Sequence, residues 1–401
     1  MAIDRTLYRE ISTTPGVWAA AVVLAGFLIG SFWAFVYVEH RGQVATGMTN
    51  HVVWGLPHVF AISLIVAASG ALNVASIASV FDKSFYKPLS RLSGVLAISL
   101  LAGGLAVLVL DLGRPDRLIV QMTHFNFSSI FTWNILLYSG FIAIVAVYLW
   151  VQMDRSVHPK WVKPAGITAF LWRLALTTGT GSIFGWLVAR PGYDAAILAP
   201  LFIALSFSLG LAVFVLVLQG LCALSGRPLG QDRTKQMIRL LGVFIGGVLY
   251  FTAVQHLTNL YAAEHQGIEA FILRDGGIYT LLFWAVQVGL GGLVPLALIY
   301  GNNTIRPAMA ALISLLVVVG GFAQIYVIVI GGQAYPMDLF PGYDVTSGFM
   351  DGAVATYRPS LPEIALGLGG VALALLATGL GARVLRILPT SLSDQTLTAK
   401  G

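Results

Sequence analysis

A polar segment between two apolar runs holds the residue types in this sequence that could do chemistry. From Asp111 to Asn134 it contains two acids, two arginines, one histidine and two asparagines. Carboxylates and imidazoles can accept and release protons, and an arginine can stabilise negative charge on a ligand. Ionisable groups at or just under a membrane face are costly and usually mark a functional site. The candidates in this segment are Asp111, Arg114, His124 and Asn126.

Two other features of the sequence bear on this site. Asp116 and Arg117 are interpreted more simply as a salt-bridged loop held by Pro115. His58 begins an earlier apolar run, after the letters W-G-L-P, and could donate a hydrogen bond or accept a proton there. The alternative for His58 is an interfacial histidine that binds a backbone carbonyl. The chemistry indicated is therefore proton exchange with a ligand, centred on His58 and Asp111.

The composition excludes several classes of protein. The 401 residues are 57% hydrophobic and 10% charged, whereas soluble domains are about 25% charged. The net charge of +6 comes from scattered single basic residues, so no nucleic-acid partner is expected. One cysteine, Cys222, provides neither a disulfide nor a thiolate site for a metal. Redox chemistry would need an organic cofactor or the metal of a partner, and we expect no haem or metal in this chain.

Apolar helices must position these residues. A helix of about 20 apolar residues spans a bilayer, and small residues in such helices allow close packing. The ten predicted spans cover residues 16–38, 55–80, 92–110, 129–151, 164–188, 195–224, 238–262, 272–300, 308–331 and 362–386. We expect an all-α polytopic protein with residues 1–401 in one integral membrane domain. Its predicted parts are a first four-helix unit at 55–188, a second at 195–331, flanking first and last helices, and an outer loop at 332–361.

The distribution of basic residues predicts the orientation. Most of the 23 Lys and Arg residues lie at the N-terminus, in alternate loops and in the C-terminal tail. Because cytoplasmic loops carry such an excess, both termini are expected in the cytoplasm. His58 and the segment that begins at Asp111 then lie at the outer face.

Polar residues inside the spans outline a candidate proton path and part of a ligand site. Arg173 lies near the middle of the fifth span, where a charged group needs a partner. The letters T-T-G-T-G-S that follow could open the helix towards a ligand or allow close helix packing. The candidate ligand contacts in this run are Thr178, Thr180 and Ser182. Gln255 and His256, in the last turns of the seventh span, are the other candidates for the proton path.

Three other interpretations stay open. His58 and His256 could ligate a b-type haem, which needs two histidines at matched depth. Arg173 and the run after it could instead belong to a secondary transporter with a site at the midplane. A purely structural anchor, which holds partners without a ligand, would make the polar residues dispensable.

Four motifs resemble those of one family. The letters W-G-L-P-H-V-F, D-L-G-R-P-D-R, H-F-N-F-S-S and A-R-P-G-Y resemble the NrfD family of polysulfide-reductase membrane subunits (PsrC-like), over nearly the whole chain. The length, the run G-L-P-H-V-F-A-I-S-L-I-V-A-A-S-G-A-L-N-V-A-S and the letters G-G-Q-A-Y-P-M-D-L-F-P-G-Y-D look most like its DsrP branch. The branch implies the quinone-reactive subunit of a sulfur-metabolism electron-transfer complex.

The resemblance implies a function and a set of partners. It implies a haem-free site for quinone or quinol, menaquinone or ubiquinone, near the outer face of the first four-helix unit. It also implies an outer ferredoxin-like iron-sulfur subunit, further membrane and redox subunits, and a place in the inner membrane of a prokaryote. The protein is then expected to exchange electrons between the quinone pool and that iron-sulfur partner, without turning over a sulfur substrate alone.

The resemblance also transfers roles to individual residues. His58 matches the quinone-contacting histidine of the family, and Asp111 and Arg114 match an acid and an arginine that close the next helix. His58 and Asp111 are expected to handle protons, and Arg114 to stabilise negative charge. The eight-span members of the family have a quinone-binding tyrosine in the fourth core helix, where this sequence has the run from Thr178 to Ser182.

Overall fold

The computed structural model describes residues 7–154, 156–337 and 352–393. It contains ten long helices, and the described residues form no β-strand beyond two isolated bridges. The helices are α1 (Pro15–Arg41), α2 (Leu56–Ser79), α3 (Ser84–Leu110), α4 (Ile130–Met153), α5 (Val162–Gly185), α6 (Leu198–Ser225), α7 (Gln231–Tyr261), α8 (Ile278–Tyr300), α9 (Pro307–Ala334) and α10 (Leu361–Val384). The middle of the predicted outer loop, residues 338–351, lies outside the described residues.

Nine of these helices in the described part of the sequence are long and apolar enough to cross a membrane. The tenth, α5, has 24 residues but contains Arg173 and the Thr-Gly run, which lower its apolar character. The all-α polytopic fold predicted from the sequence is confirmed.

The chain ends show that α5 also crosses. Tyr8 pairs with Pro389 in an isolated bridge, and the Arg9 N–H donates to the Leu388 carbonyl at 3.2 Å. The start of α1 and the end of α10 are therefore on the same side. An even number of crossings separates them, so α5 is the tenth crossing. The cavity described below lies at the opposite side, where α1, α3 and α5 end and α2 and α4 begin.

Helix contacts divide the protein into two groups of four and one pair. In the first group α2 packs on α3 and α5, and α4 packs on α3 and α5. In the second group α6 packs on α7 and α9, and α8 packs on α9. The groups meet where α6 packs on α2 and α5, and the α1–α10 pair lies against α2 and α3. We call residues of α2–α5 the first unit and residues of α6–α9 the second unit.

The contact between the two units depends on glycine. Gly70 of α2 and Gly210 of α6 face each other so closely that a Cβ atom on either would overlap the backbone of the other helix. Inside a bilayer, helices associate through such close backbone approach, because lipid supplies no hydrophobic drive between them.

We therefore expect Gly70→Val to destabilise the protein by about 3 kcal/mol or to prevent its assembly, since the overlap is with backbone. Thermal unfolding of the detergent-purified protein measures this. The control is Gly246→Val on α7, where a Cβ atom meets nothing within 4 Å. Equal unfolding temperatures for the two variants would contradict the close backbone contact between α2 and α6.

Candidate functional site

The first unit contains a cavity of about 570 Å³ at the end that faces away from the start of α1 and the end of α10. The helices α2, α3, α4 and α5 contribute to its wall, and the short helix Leu118–Thr123 closes part of it. Most of the lining is apolar or aromatic. The polar exceptions are His58, Asp111, Gln121, Asn134, Tyr138 and Ser139. A mostly apolar cavity with a few convergent polar groups is typical of a small-molecule site.

His58 and Asp111 form the ionisable part of the cavity. His58 lies in the first turn of α2, and Asp111 directly follows the last residue of α3, so the antiparallel helices bring them together. Nδ1 of His58 lies 3.0 Å from Oδ2 of Asp111, whose side chain is fully buried, and 22% of the His58 side chain is exposed.

The angles between these two groups do not meet hydrogen-bond geometry, although the distance does. His58 Nδ1 and both carboxyl oxygens of Asp111 therefore have no hydrogen-bond partner among the described residues. A buried polar atom without a partner is costly and usually binds a ligand or water. The pair therefore keeps its hydrogen-bonding capacity for a molecule in the cavity.

Asn134 and Tyr138 form the second polar part of the cavity, one turn apart on α4. The Asn134 side-chain amide donates to the carbonyls of Ile130 and Gly179 at 2.9 and 3.1 Å, and its buried oxygen has no partner in the described part of the protein. The Tyr138 hydroxyl lies 3.5 Å from Oγ1 of Thr180. Sequence analysis missed Tyr138. Its spacing of four from Asn134 places both on one helix face, but the sequence does not tell whether that face lies towards the protein or towards lipid.

Trp54 forms an aromatic wall beside His58. Its ring stacks with the rings of His58 and Tyr193, with centroids 6.2 Å apart in both cases. Phe131 and Phe184 meet the same indole edge-on at 6.1 and 5.9 Å. This ring cluster limits the rotation of His58 and gives the cavity a flat apolar surface.

Gln333 of the second unit fixes the backbone at Trp54. Its side-chain oxygen accepts hydrogen bonds from the Val53 and Trp54 N–H groups, both at 3.0 Å, and its amide donates to the Trp54 carbonyl at 3.0 Å. Arg190 in turn donates to the carbonyls of Gln333 and His51, both at 2.8 Å. The position of the aromatic wall thus depends on contacts between the two units.

In the segment after Asp111, the three predicted site residues Arg114, His124 and Asn126 lie outside the cavity lining. Gly113 adopts a left-handed conformation, with φ of +66°, and the backbone then turns outward. Arg114 therefore pairs with Asp116 at 3.0 Å, and both side chains are more than half exposed. This hydrogen bond holds the pKa of Asp116 below its ordinary value. The exposed His124 and Asn126 side chains bond to their own neighbours, Thr123 and Ser128.

The hydroxyl run on α5 also lies behind the cavity wall. The Thr178 and Thr180 hydroxyls donate to the carbonyls of Leu174 and Leu176, and Ser182 is buried. The helix is continuous through this run, so it does not open its backbone towards the cavity. Ile183 and Phe184 line the cavity instead. Thr180 approaches it only through the Tyr138 hydroxyl.

The structure separates the residues of the predicted proton path. Arg173 is fully buried between the units, where Nη1 donates to the Ser69 carbonyl at 3.1 Å and its guanidinium lies 4.7 Å from the Phe207 ring centroid. Its Nε and Nη2 atoms have no partner within the described residues. Gln255 and His256 lie in the second unit, at the end of α7. His58 and His256 each adjoin their own acid, Asp111 and Glu269.

Within the described residues, no group of three His, Cys, Asp or Glu side chains could hold a metal ion. The mostly apolar lining of the cavity, with a few polar groups, suits an apolar organic molecule whose polar atoms accept or donate hydrogen bonds.

Two known proteins match the sequence of this one over nearly its whole length. It is 27% identical over 369 residues to the Hdr-like menaquinol oxidoreductase integral membrane subunit of Archaeoglobus fulgidus, and the match spans 90% of each protein. It is 28% identical over 413 residues to a putative dimethyl sulfoxide reductase membrane subunit of Halobacterium salinarum, and that match spans 93% of this protein and 92% of the relative.

A third relative is the protein NrfD of Escherichia coli, at 23% identity over 62% of this protein and 84% of the relative. The family model described as "Polysulphide reductase, NrfD" matches residues 44–336. That match is most of the sequence and includes the whole cavity lining, so this multi-pass membrane protein belongs to the NrfD family.

Proposed function

We propose that this protein is the quinone-reactive membrane subunit of an oxidoreductase complex, and that quinone or quinol binds in the cavity of the first unit. The observation that carries the proposal is the buried His58–Asp111 pair on the wall of a largely apolar cavity. A quinone has an apolar ring and two carbonyl oxygens, and its reduction consumes protons as well as electrons. Similarity to a subunit named for menaquinol oxidation favours menaquinone as the substrate.

The polar groups of the cavity suit the two carbonyl oxygens. His58 on α2 offers a donor at one part of the wall, and Asn134 and Tyr138 on α4 offer polar atoms at another. The aromatic wall around Trp54 supplies a flat surface for the ring. Proton transfer from the ligand would bring a proton to the His58 imidazole, which lies 3.0 Å from the Asp111 carboxylate.

The cavity end is also where we place the redox partner. Gln121 and Met122 of the short helix Leu118–Thr123 line the cavity, while Ile119 and Val120 are exposed beside it. An iron-sulfur subunit of the ferredoxin type docked at this face would receive or supply electrons close to the bound ring. The chain ends then lie on the cytoplasmic side of a prokaryotic inner membrane, as the basic residues predict. Membership of the DsrP branch and a sulfur compound as the final substrate stay predictions.

The proposal is tested by titrating the purified complex with a quinol analogue and measuring its binding. Saturable binding that is lost in His58→Ala supports it, provided that the variant still assembles. If that variant binds the analogue and transfers electrons from quinol as the wild type does, the proposed site is refuted. Uptake of a solute by the protein alone in liposomes would favour the transporter interpretation instead.

Tyr138→Phe is expected to weaken quinol-analogue binding roughly fivefold, because a typical hydrogen bond contributes about 1 kcal/mol. The matched control is Tyr148→Phe on the same helix, since Tyr148 bonds to Ala75 and Ser79 and does not line the cavity. Both dissociation constants come from the same titration. Equal weakening in the two variants would show that the effect is general to the helix.

A further inference from the structure

A second buried pair of a histidine and an acid lies in the second unit. Nδ1 of His256 on α7 is 2.6 Å from Oε2 of Glu269, in the short helix Gln266–Ala270. The other carboxyl oxygen of Glu269 accepts a hydrogen bond from the Asn259 side chain at 2.9 Å. Only 1% of the Glu269 side chain and 12% of the His256 side chain are exposed. A titratable group is costly to bury and is usually found buried only when it is paired. Such pairs are frequent in functional sites.

This pair is separate from the quinone cavity. It lies at the end of α7, on the same side of the protein as the cavity. His256, Glu269 and their neighbour Asn259 do not line that cavity. The Phe283 ring of α8 covers the imidazole edge-on, with centroids 4.6 Å apart. Covered in this way, the pair is suited to exchanging a proton with water rather than to binding a larger molecule.

The other charged groups nearby are already engaged. In the connection after α7, Glu264 lies 3.9 Å from His265, and Nδ1 of His265 lies 3.1 Å from the Pro191 carbonyl. Arg274 and Asp275 form an exposed pair at 2.8 Å. The residue that α8 packs on the imidazole, Phe283, is uncharged. None of these contacts involves His256 or Glu269, which form a separate cluster with Asn259.

Polar side chains continue inward from this pair. Thr252 lies one turn before His256 on α7, and its hydroxyl accepts a hydrogen bond from Gln324 of α9 at 3.0 Å. Thr252, Gln324, Ser208 and Gln287 border a small cavity of about 20 Å³. A polar cavity of at least about 10–15 Å³ can hold one water molecule when two to four partners are present.

The helix geometry around this small cavity is unusual. Over Leu282–Leu293, which contains Gln287, α8 is wound as a π-helix. Departures of this kind from α-helical winding frequently occur at functional sites. On the far side of the cavity, Ser208 is adjacent in sequence to Phe207, whose ring faces the Arg173 guanidinium. The small cavity thus lies beside the part of α6 that contacts the buried arginine.

We propose that the His256–Glu269 pair is a proton-exchange site of the second unit, and that Thr252, Gln324 and one water in the small cavity relay protons inward from it. A proton that enters from bulk water binds the pair, and one that leaves inward passes to the water beside Thr252. No electron moves in this step, and the number of protons is conserved. The site does not rest on the quinone proposal, since it involves another unit and another pair.

Infrared difference spectroscopy of the full-length protein in nanodiscs, recorded between two pH values, tests the exchange site. We expect a carboxyl band in the wild type that disappears in Glu269→Gln and remains in the control Asp275→Asn. The band should also shift in His256→Gln, which keeps the proposal testable if the first variant fails to fold. If Glu269→Gln and His256→Gln both give the same difference spectrum as the wild type, the proposed proton-exchange site is refuted.

Proton uptake into liposomes that contain the assembled complex, followed with an enclosed pH dye during quinol oxidation, tests the relay. Thr252→Val should lose proton uptake while it keeps electron transfer. The control is Thr258→Val on the same helix, whose exposed hydroxyl bonds only to the Val254 carbonyl. Uptake in Thr252→Val equal to that of the control would refute the relay, whatever the result for quinone binding.

Discussion

Replacing Asp111 with asparagine is expected to slow quinol oxidation by the assembled complex roughly 100-fold, the usual effect of losing a positioned proton acceptor. Asparagine has nearly the same shape, so the cavity and the contact with His58 should persist. An amide cannot take up the proton that His58 receives, because it has no basic oxygen at neutral pH. The steady-state rate with an artificial electron acceptor measures the effect.

The affinity for quinol should change much less than the rate in Asp111→Asn. His58→Ala, in contrast, should reduce both, because the imidazole is also a hydrogen-bond donor to the ligand. The matched control is Asp116→Asn, which removes an exposed carboxylate paired with Arg114. Exposed pairs contribute only about 0–1 kcal/mol, so this control should retain the wild-type rate. A wild-type rate in Asp111→Asn would contradict the proton role of Asp111.

The second large effect is expected from Glu363→Ala, which should lower the free energy of unfolding by about 4 kcal/mol, since several buried donors lose their acceptor. Glu363 is fully buried in the first turn of α10. It accepts hydrogen bonds from the N–H groups of Gly47 and Ser360 at 2.8 and 2.7 Å and from the Tyr357 hydroxyl at 2.6 Å.

This carboxylate is also connected to the cavity of the first unit. The Tyr357 oxygen accepts a hydrogen bond from the Leu56 N–H at 2.6 Å, in the first turn of α2 and two residues before His58. Burial, followed by the hydrogen bond to Glu363, raises the pKa of Tyr357, so this hydroxyl stays protonated and keeps donating. The loss of Glu363 should therefore loosen the start of α2 as well as α10.

Thermal unfolding of the purified protein measures the stability change, and a quinol-analogue titration measures the change at the cavity. Glu264→Ala is the control, since 82% of the Glu264 side chain is exposed. If Glu363→Ala unfolds at the same temperature as this control, the hydrogen-bond cluster does not hold the outer ends of α2 and α10 together.

Sequence patterns predicted the helices and placed His58 and Asp111 at the same face of the protein for a physical reason. Ten apolar runs joined by short connections must alternate in direction, so the start of α2 and the end of α3 come to the same face. Both residues lie at those ends, and their distance of 3.0 Å follows from direct packing of α2 on α3. The common face could be inferred from the sequence, whereas the roles of the two residues in catalysis stay predictions.

The partners of Arg114 could not be inferred, because they depend on one backbone angle. The left-handed Gly113 turns the backbone after Asp111, and Arg114 then reaches Asp116 rather than the cavity. Tyr138 was missed for another reason. In a membrane helix both the lipid-facing and the protein-facing sides are apolar, so the pattern does not tell which face is inside. Only packing shows that Tyr138 faces the cavity and not lipid.

Glu269 was missed because its segment resembles an ordinary polar connection. The letters A-E-H-Q-G-I-E-A, which contain two acids, follow shortly after the end of α7. One of them, Glu264, is exposed, whereas Glu269 folds back onto His256 and Asn259. That difference comes from the short helix Gln266–Ala270 and its packing on α7, which composition does not encode.

Photolabelling with an azido-quinone most directly tests the central claim, that quinone binds in the cavity of the first unit. The label is activated in the intact complex, with and without excess unlabelled quinone, and the modified peptides are mapped by mass spectrometry. We predict saturable labelling of the segments around Trp54 to Ile62 and Asn134 to Ser139, which line the cavity. The claim would be contradicted if these two segments stay unmodified and the labelling that excess quinone prevents lies only in segments outside this cavity.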